Sequence, residues 1–345
     1  MNKKLLAMLL TLVLSMSVLV GCGSKNSSDK ETTKEPESVE TTTKFTKENA
    51  KTYNVAVLKG PTAIGFIKAW DDSDNGSTVN TYNVTAYGAA DEITTGIVKG
   101  DIDIAAVPCN LASVLYNKTE GKIKIAAVNT LGVLYMISTL DGIADVSDLK
   151  GKTIITTGQG TTPEYTLNYI LEKNGLTPGT DVTIEYKSEA TEVAAAMSEA
   201  KDAVAMLPQP YVTTVLSQNE NMKIVLDMSE EWNKVSNDGA LVTGVVIVRN
   251  DVIEENPEAF EEFMKDYEVS TEYVTTNVDE AATLVEAHDI FKAAIAKKAI
   301  PFCNITFLKN EEMKKNVSSY LNVLFTANPK SVGGKLPADD FYYSK

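Results

Sequence analysis

Short runs of small, hydroxyl-bearing and amide residues recur where apolar strands give way to helices, and they are suited to holding a small molecule. In the first half of the chain these runs are Lys59-Gly60-Pro61-Thr62, Tyr87-Gly88, Pro108-Cys109-Asn110 and Asn129-Thr130. Further on they are Gly158-Gln159-Gly160-Thr161-Thr162 and Gln209-Pro210-Tyr211. Gly60 and Gly160 let backbone approach a ligand, and Thr62, Thr161 and Thr162 add hydroxyls. Pro61 and Pro163 suit the first turn of a helix. The chemistry on offer is non-covalent recognition by backbone N–H groups, hydroxyls and amides. The same residue types also serve as plain helix caps. The 158–162 loop, with two glycines and two threonines, exceeds what a cap needs.

Other chemistries find little support. Gly158-x-Gly160 lacks the third glycine and the downstream acid of a dinucleotide fingerprint. Glu164 and Asp91-Glu92 are acids in helical first turns, where they serve the helix dipole. The single histidine, His288, lies in a helical pattern, and there is no Cys/His cluster at metal-ligand spacing, so neither a metal site nor a Ser-His-Asp triad is expected. No cofactor is expected. The only arginine is Arg249, after a late apolar strand, which argues against an arginine clamp for carboxylate or sulfonate. An anion would have helix N-termini, hydroxyls and Lys59. A neutral or aromatic solute stacking on Tyr87, Tyr211 or Trp232 fits equally well.

The elements that position these loops alternate along the chain. Strands are predicted at 53–58, 83–87, 102–107 and 122–128, with helices between them. Asn110 is expected to cap a helix at 111–117. The rhythm restarts with strands at 133–138, 153–156, 181–186, 203–207 and 222–226, separated by helices at 164–174 and 189–200. The apolar stretch 241–249 is long enough to cross back to the first unit. The helices at 257–275, 278–291 and 311–324 are assigned to that first unit. The βα alternation predicts mostly parallel sheets covered by helices on both faces. Two crossings between units make a hinge.

The first 21 residues have Lys3 and Lys4 ahead of an apolar run, closed by Leu19-Val20-Gly21-Cys22. This is the order of a secretory signal. A cysteine directly after the small residue resembles the bacterial lipobox, which implies cleavage before Cys22 and acylation of that residue. Residues 22–51 are rich in Ser, Thr, Glu and Lys with almost no apolar content, and are read as a flexible linker. The protein is therefore expected outside the cytoplasm, anchored to the cell membrane by lipid on Cys22. The chain carries a formal charge of −15 over 345 residues, which disfavours nucleic acid as a partner. Cys109 and Cys303 lie nearly 200 residues apart and are read as separate buried thiols.

Several motifs together resemble the extracytoplasmic solute-binding proteins of ABC importers. Asp148-Leu149-Lys150-Gly151-Lys152-Thr153-Ile154 is similar to the turn that opens their second domain. Gly100-Asp101-Ile102-Asp103-Ile104-Ala105 is similar to one of their strand entries, and Leu58-Lys59-Gly60-Pro61-Thr62 sits where they place a first ligand loop. The body from about Tyr53 to Tyr343 fits, most closely the subgroup that carries nitrate, taurine, alkyl sulfonates, thiamine-pyrimidine precursors and riboflavin. The resemblance implies a two-domain α/β fold of the periplasmic-binding type II kind, with two interdomain crossovers and a central cleft. Domain 1 is then 52–133 plus 245–345, and domain 2 is 134–244. The implied function is to bind a small solute by hinge closure, as a monomer, and deliver it to an ABC permease. The alternatives are a solute-sensing lipoprotein and an enzyme similar to pyrimidine synthases on the same fold.

Overall fold

The computed structural model describes residues 46–236 and 239–345. The signal segment, the lipobox with Cys22 and most of the linker lie outside the described residues. Of the stretch read as linker, residues 46–51 hold a 3-10 turn at Lys47–Asn49. They are tied to the body where Asn256 Nδ2 donates to the Asn49 carbonyl at 3.2 Å and the Lys51 N–H donates to Asn80 Oδ1 at 3.0 Å.

The first lobe begins β1 (Thr52–Leu58), α1 (Pro61–Asp74), β2 (Thr81–Tyr87), α2 (Ala90–Lys99), β3 (Ile104–Pro108), α3 (Cys109–Lys118) and β4 (Ile123–Thr130). The chain then enters a second lobe of β5 (Leu134–Ser138), β6 (Thr153–Thr156), α4 (Thr162–Lys173), β7 (Thr183–Tyr186), α5 (Ala190–Ser198), β8 (Val204–Pro208), α6 (Tyr211–Gln218), β9 (Lys223–Asp227) and α7 (Met228–Val235). It returns through β10 (Gly244–Arg249) to α8 (Asn250–Glu255), α9 (Pro257–Thr276), α10 (Val278–Ala287), α11 (Ala293–Ala299), β11 (Ile305–Leu308) and α12 (Asn310–Ala327).

The six-stranded sheet has the order β11-β4-β10-β3-β1-β2, and the five-stranded sheet β7-β6-β8-β5-β9. Within each, the strand entered from the other lobe runs against its neighbours. β10 is antiparallel to β3 and β4, and β5 is antiparallel to β8 and β9. The remaining βα units keep β1, β2 and β3, and likewise β6, β7 and β8, parallel. Central strands such as β4 and β10 are buried along almost their whole length, which is why they read as unbroken apolar runs.

Helices cover both faces. Phe66 of α1 packs with Phe263 and Tyr267 of α9 on one face of the larger sheet, at ring separations of 5.6 and 4.8 Å. On its other face, the core continues without a break into the second lobe through α3, α4 and α12. Tyr320 of α12 stacks on Trp232 of α7 at 5.3 Å, and its hydroxyl lies 3.3 Å from Thr166 Oγ1 of α4. The last long helix, read from the sequence as part of the first unit, is therefore a wedge shared by both lobes. Trp232, read as a solute platform, is instead fully buried, with Tyr169 at 4.9 Å on its other side and Nε1–H donated to the Gly239 carbonyl at 3.3 Å.

Cys109 and Cys303 are both unpaired and fully buried. Burial pushes both thiols above their ordinary range, so neither offers a thiolate. In a thiol titration with a disulfide reagent, these two are expected to stay silent in the folded protein and to give two equivalents after denaturation. Rapid reaction of either one in the native state would contradict the packing described.

Candidate functional site

The lobes meet around a cavity of about 500 Å³, a volume typical of small-molecule sites. It lies beyond the carboxyl ends of the strands, where open α/β sheets place their ligands. The floor is made by the two crossings. The Thr243 N–H donates to the Thr130 carbonyl at 3.1 Å, and the Cys109 N–H donates to the Thr243 carbonyl at 3.1 Å. Gly132, between β4 and β5, is pressed against the start of α7: a Cβ there would stand 2.0 Å from Ser229 Oγ. The crossings are thus fixed to each other by backbone hydrogen bonds and close packing.

From the larger lobe, the loop after β1 supplies Lys59, Gly60, Pro61 and Thr62, and Gly88, Pro108 and Thr130 come from three further strand ends. Gly60 is the N-cap of α1 at φ 148°, a conformation open essentially to glycine alone. Thr62 Oγ1 accepts from the Leu58 N–H at 3.1 Å and donates to the Leu58 carbonyl at 2.9 Å, so its hydroxyl holds the turn. From the smaller lobe come Gly158, Gln159 and Thr161 of one loop, and Tyr211 at the start of α6. Thr161 Oγ1 closes that loop on the Gly158 carbonyl at 2.7 Å. Tyr211 reaches across the lobes, its hydroxyl donating to the Lys59 carbonyl at 3.3 Å and its ring meeting Phe291 at 5.0 Å.

Tyr87, Cys109, Asn110, Asn129, Gly160, Thr162, Gln209, Pro210 and Trp232, all named from the sequence, do not line the cavity. Asn110 is not a cap but lies inside α3, whose N-cap is Pro108. Its buried side chain donates to the Ser331 carbonyl at 3.0 Å and to the Gly160 carbonyl at 3.3 Å, and accepts from Thr162 Oγ1 at 3.2 Å. Asn110, Thr162 and Gly160 therefore form a joint between lobes behind the cavity wall. Gln209 is spent capping α6, with Oε1 accepting from the Thr213 N–H at 3.2 Å and hydroxyl at 2.7 Å. Asn129 Nδ2 donates to the Tyr267 hydroxyl at 3.0 Å. Tyr87 offers its carbonyl to the Lys59 N–H at 2.9 Å, and Cys109 is sealed in the core.

Other lining residues escaped the sequence reading: Thr157, Tyr186, Lys187, Ser188, Thr243 and Gly244. Tyr186-Lys187-Ser188 follows β7 and precedes α5, so the strand-end rule itself contained the signal. Thr243 and Gly244 had no such signal, because the sequence reads them as the start of a strand. Three hydroxyls on lining residues, Thr130 from the sequence reading among them, are enclosed. Thr130 Oγ1, Thr243 Oγ1 and the Tyr186 hydroxyl are buried without a hydrogen-bond partner. An unpaired buried hydroxyl costs about 1–3 kcal/mol. Burial, with Glu164 nearby, pushes the Tyr186 hydroxyl well above the ordinary phenol range, and burial with Glu189 does the same to Tyr211. Both are neutral hydroxyls at any physiological pH.

Two of the three motifs that carried the resemblance, the runs at 148–154 and 100–105, hold the frame rather than the cavity, while the run at 58–62 lines it. Asp148 Oδ2 accepts from the Ala144 and Asp145 N–H groups at 3.0 Å, and Lys150 pairs with Asp181 at 3.2 Å, setting β6 beside β7. Asp103 pairs with Arg249 at 3.1 Å. Arg249 also donates to the Gly100 and Ile102 carbonyls at 2.7 and 2.9 Å. The only arginine thus sits at the end of β10 opposite the cavity. Among the described residues, no group of three or more His, Cys, Asp or Glu side chains is arranged to hold a metal ion.

Comparison with known proteins agrees with this geometry. Residues 114–281 match the family model described as NMT1/THI5 like. A crystal structure of an ABC transporter protein from Parabacteroides distasonis superposes with a TM-score of 0.69 at 26% identity, covering 85% of this chain and 99% of that one. Just under half of the chain matches that family model, and the fold is that of ABC-importer binding proteins. The periplasmic aliphatic sulphonate binding protein of Escherichia coli shares that fold (TM-score 0.67, 14% identity, 85% and 92% covered). So does the periplasmic nitrate-binding protein of Synechocystis PCC 6803 (0.61, 13%, 82% and 84%). A protein of Brucella abortus (strain 2308) described as a binding protein is 26% identical over 170 residues, 49% of this chain. The match spans about half the length of that relative, 51%. These named relatives and neighbours are binding or transport proteins, not enzymes. Among the described residues, no helix is long and apolar enough to cross a membrane.

Proposed function

We propose that this chain binds a small solute between its two lobes and hands it to the permease of an ABC importer, as a monomer held at the outer face of the membrane by lipid on Cys22. The observation that carries the reading is the cavity itself, walled by strand ends of both lobes and floored by the two crossings that follow β4 and precede β10. A solute touching both walls favours the closed arrangement by its differential affinity, and the closed form is what a permease recognises. The Tyr211 to Lys59 hydrogen bond and the Asn110 joint are contacts that opening would break or strain.

Thermal unfolding of the purified protein, with the solute found by native mass spectrometry, tests this. At ~100 times its dissociation constant the solute is expected to add about 2.7 kcal/mol of stability. Thr161→Trp, which fills the cavity from the 158–162 loop, is expected to remove that gain while leaving the unliganded stability within about 1 kcal/mol. Absence of any co-purified or stabilising solute would sink the reading. The anchor is tested separately. Cys22→Ala is expected to move the protein from the membrane to the soluble extracytoplasmic fraction; if it stays on the membrane, Cys22 is not the anchor.

A further inference from the structure

We propose that Glu189 and Gly88 form a releasable clasp between the lobes: the carboxyl group of Glu189 in the smaller lobe seats on the side-chain-free backbone of Gly88 in the larger, and its engagement sets how firmly the lobes stand closed. This rests on the hinge reading above. A Cβ at Gly88 would stand 2.6 Å from Glu189 Cδ and Oε1 and 2.8 Å from Oε2. The nearest atoms thus belong to one carboxyl group from the other lobe. Gly88 is not among the glycines at positive φ. Its backbone would suit any residue, so glycine here serves the approach of Glu189 rather than the turn. Glu189 is the N-cap of α5 and makes no side-chain cap there. Its carboxyl is instead steadied by Thr191, whose hydroxyl donates to Oε2 at 3.1 Å. The seat lies at the start of α2, whose N-cap Ala89 offers no side-chain oxygen. Asp91 and Glu92 already occupy that first turn, so the favourable dipole is offset and the contact holds by packing rather than by charge. That suits a clasp that must release.

The clasp sits where leverage is greatest. β2, which Gly88 follows, is three strands beyond β10 in the larger sheet, and β7, which leads to Glu189, is three strands beyond β5 in the smaller. At ~4.8 Å per strand, each lies about 14 Å from the strands that the crossings enter. A small rotation at the crossings therefore moves these two edges furthest. Inward of the clasp the contacts are slight: the Tyr211 hydroxyl meets the Lys59 carbonyl, and the Tyr211 ring meets Phe291. The other end of the larger sheet is different. There α12 packs against β4 and shares its core with α4 and α7 through Tyr320 and Trp232. A Cβ at Gly239 would stand 2.7 Å from Ser319 Cβ, an atom fixed to α12, whereas the atoms over Gly88 are the free end of a long side chain. Opening then parts the lobes at the β2 and β7 edges and pivots about the α12 side.

Hydroxyl-radical footprinting of the full-length protein, read residue by residue by mass spectrometry, tests this without any solute. Tyr211 is 5% exposed and Pro61 is buried on the clasp side, while Tyr320 is fully buried on the α12 side. Gly88→Ala pushes the carboxyl off its seat, and Glu189→Ala removes it without adding an atom. Each is expected to raise oxidation of Tyr211 and Pro61 about threefold and to leave Tyr320 unchanged. The double variant is expected to match either single one, since both remove one contact. Glu189→Gln keeps the shape and is expected to match the unaltered protein. Equal gains at Tyr320, a gain at Tyr211 alone, or additive effects in the double variant overturn the clasp. If Tyr211 is more readily oxidised than Tyr320 in the unaltered protein yet ignores both single substitutions, the clasp is wrong and the hinge stands. Tyr211 as protected as Tyr320 in every variant overturns the hinge as well.

Discussion

Replacing Trp232 with alanine is expected to destabilise the folded body by about 3–5 kcal/mol, the range for truncating a fully buried large aromatic. The indole is completely enclosed, between Tyr169 of its own lobe and Tyr320 of the shared helix. Its loss opens a cavity where the two lobes share one core, and it removes the hydrogen bond from the indole N–H to the Gly239 carbonyl. Relaxation is limited because α4, α7 and α12 converge there from different parts of the chain. Urea unfolding followed by far-ultraviolet circular dichroism measures the change. Trp232→Phe should recover part of the loss, since it refills most of the volume but not the hydrogen bond. A deficit below about 1 kcal/mol for the alanine variant would show that the shared core is not where the lobes are held.

The second large effect is expected at Asn110. Asn110→Ala strands the Ser331 carbonyl and Thr162 Oγ1, groups in fully or nearly fully buried residues, at about 1–3 kcal/mol each. Asn110→Asp should be worse, about 3–5 kcal/mol at neutral pH, because an ionised carboxylate would then face two carbonyl oxygens in the interior. The sign of its pH dependence follows. Burial raises the folded-state pKa of the new carboxyl above its unfolded value, so the penalty is present at neutral pH and shrinks as the pH falls through the folded-state pKa. Urea midpoints at neutral and mildly acidic pH decide it. An aspartate variant no less stable than the alanine one would mean the joint is open to water. Because the joint ties the 158–162 loop to the larger lobe, Asn110→Ala should also weaken solute binding although Asn110 does not line the cavity.

The cavity was partly legible in the sequence, through one local rule: a strand end followed by a helix start faces the ligand side. That rule located the Lys59 loop and the Gly158 loop, because both signals are confined to a few consecutive residues. It contained Tyr186-Lys187-Ser188 as well, where the polar composition resembles any exposed turn. The rule could not say which residues of a turn face inward. Asn110 and Thr162 both stood at helix starts, and the fold uses them on each other. Thr62 and Thr161 carry hydroxyls as anticipated, but these hydroxyls close their own turns. Thr243 had no local signal at all: its position comes from a strand arriving from the other lobe.

The sequence by itself determined the α/β class, the two rounds of strand and helix, the return strand and the lack of a second arginine for an anion clamp. These follow from hydrophobic period, from turn residues and from composition, all of which act over a few neighbouring positions. The tertiary structure alone decided that the last long helix is shared between lobes, that Trp232 is core, and that Thr130, Thr243 and Tyr186 surround one cavity with their hydroxyls unpaired. Those outcomes depend on which strand ends meet across two sheets, a relation between residues more than fifty positions apart that no local pattern encodes.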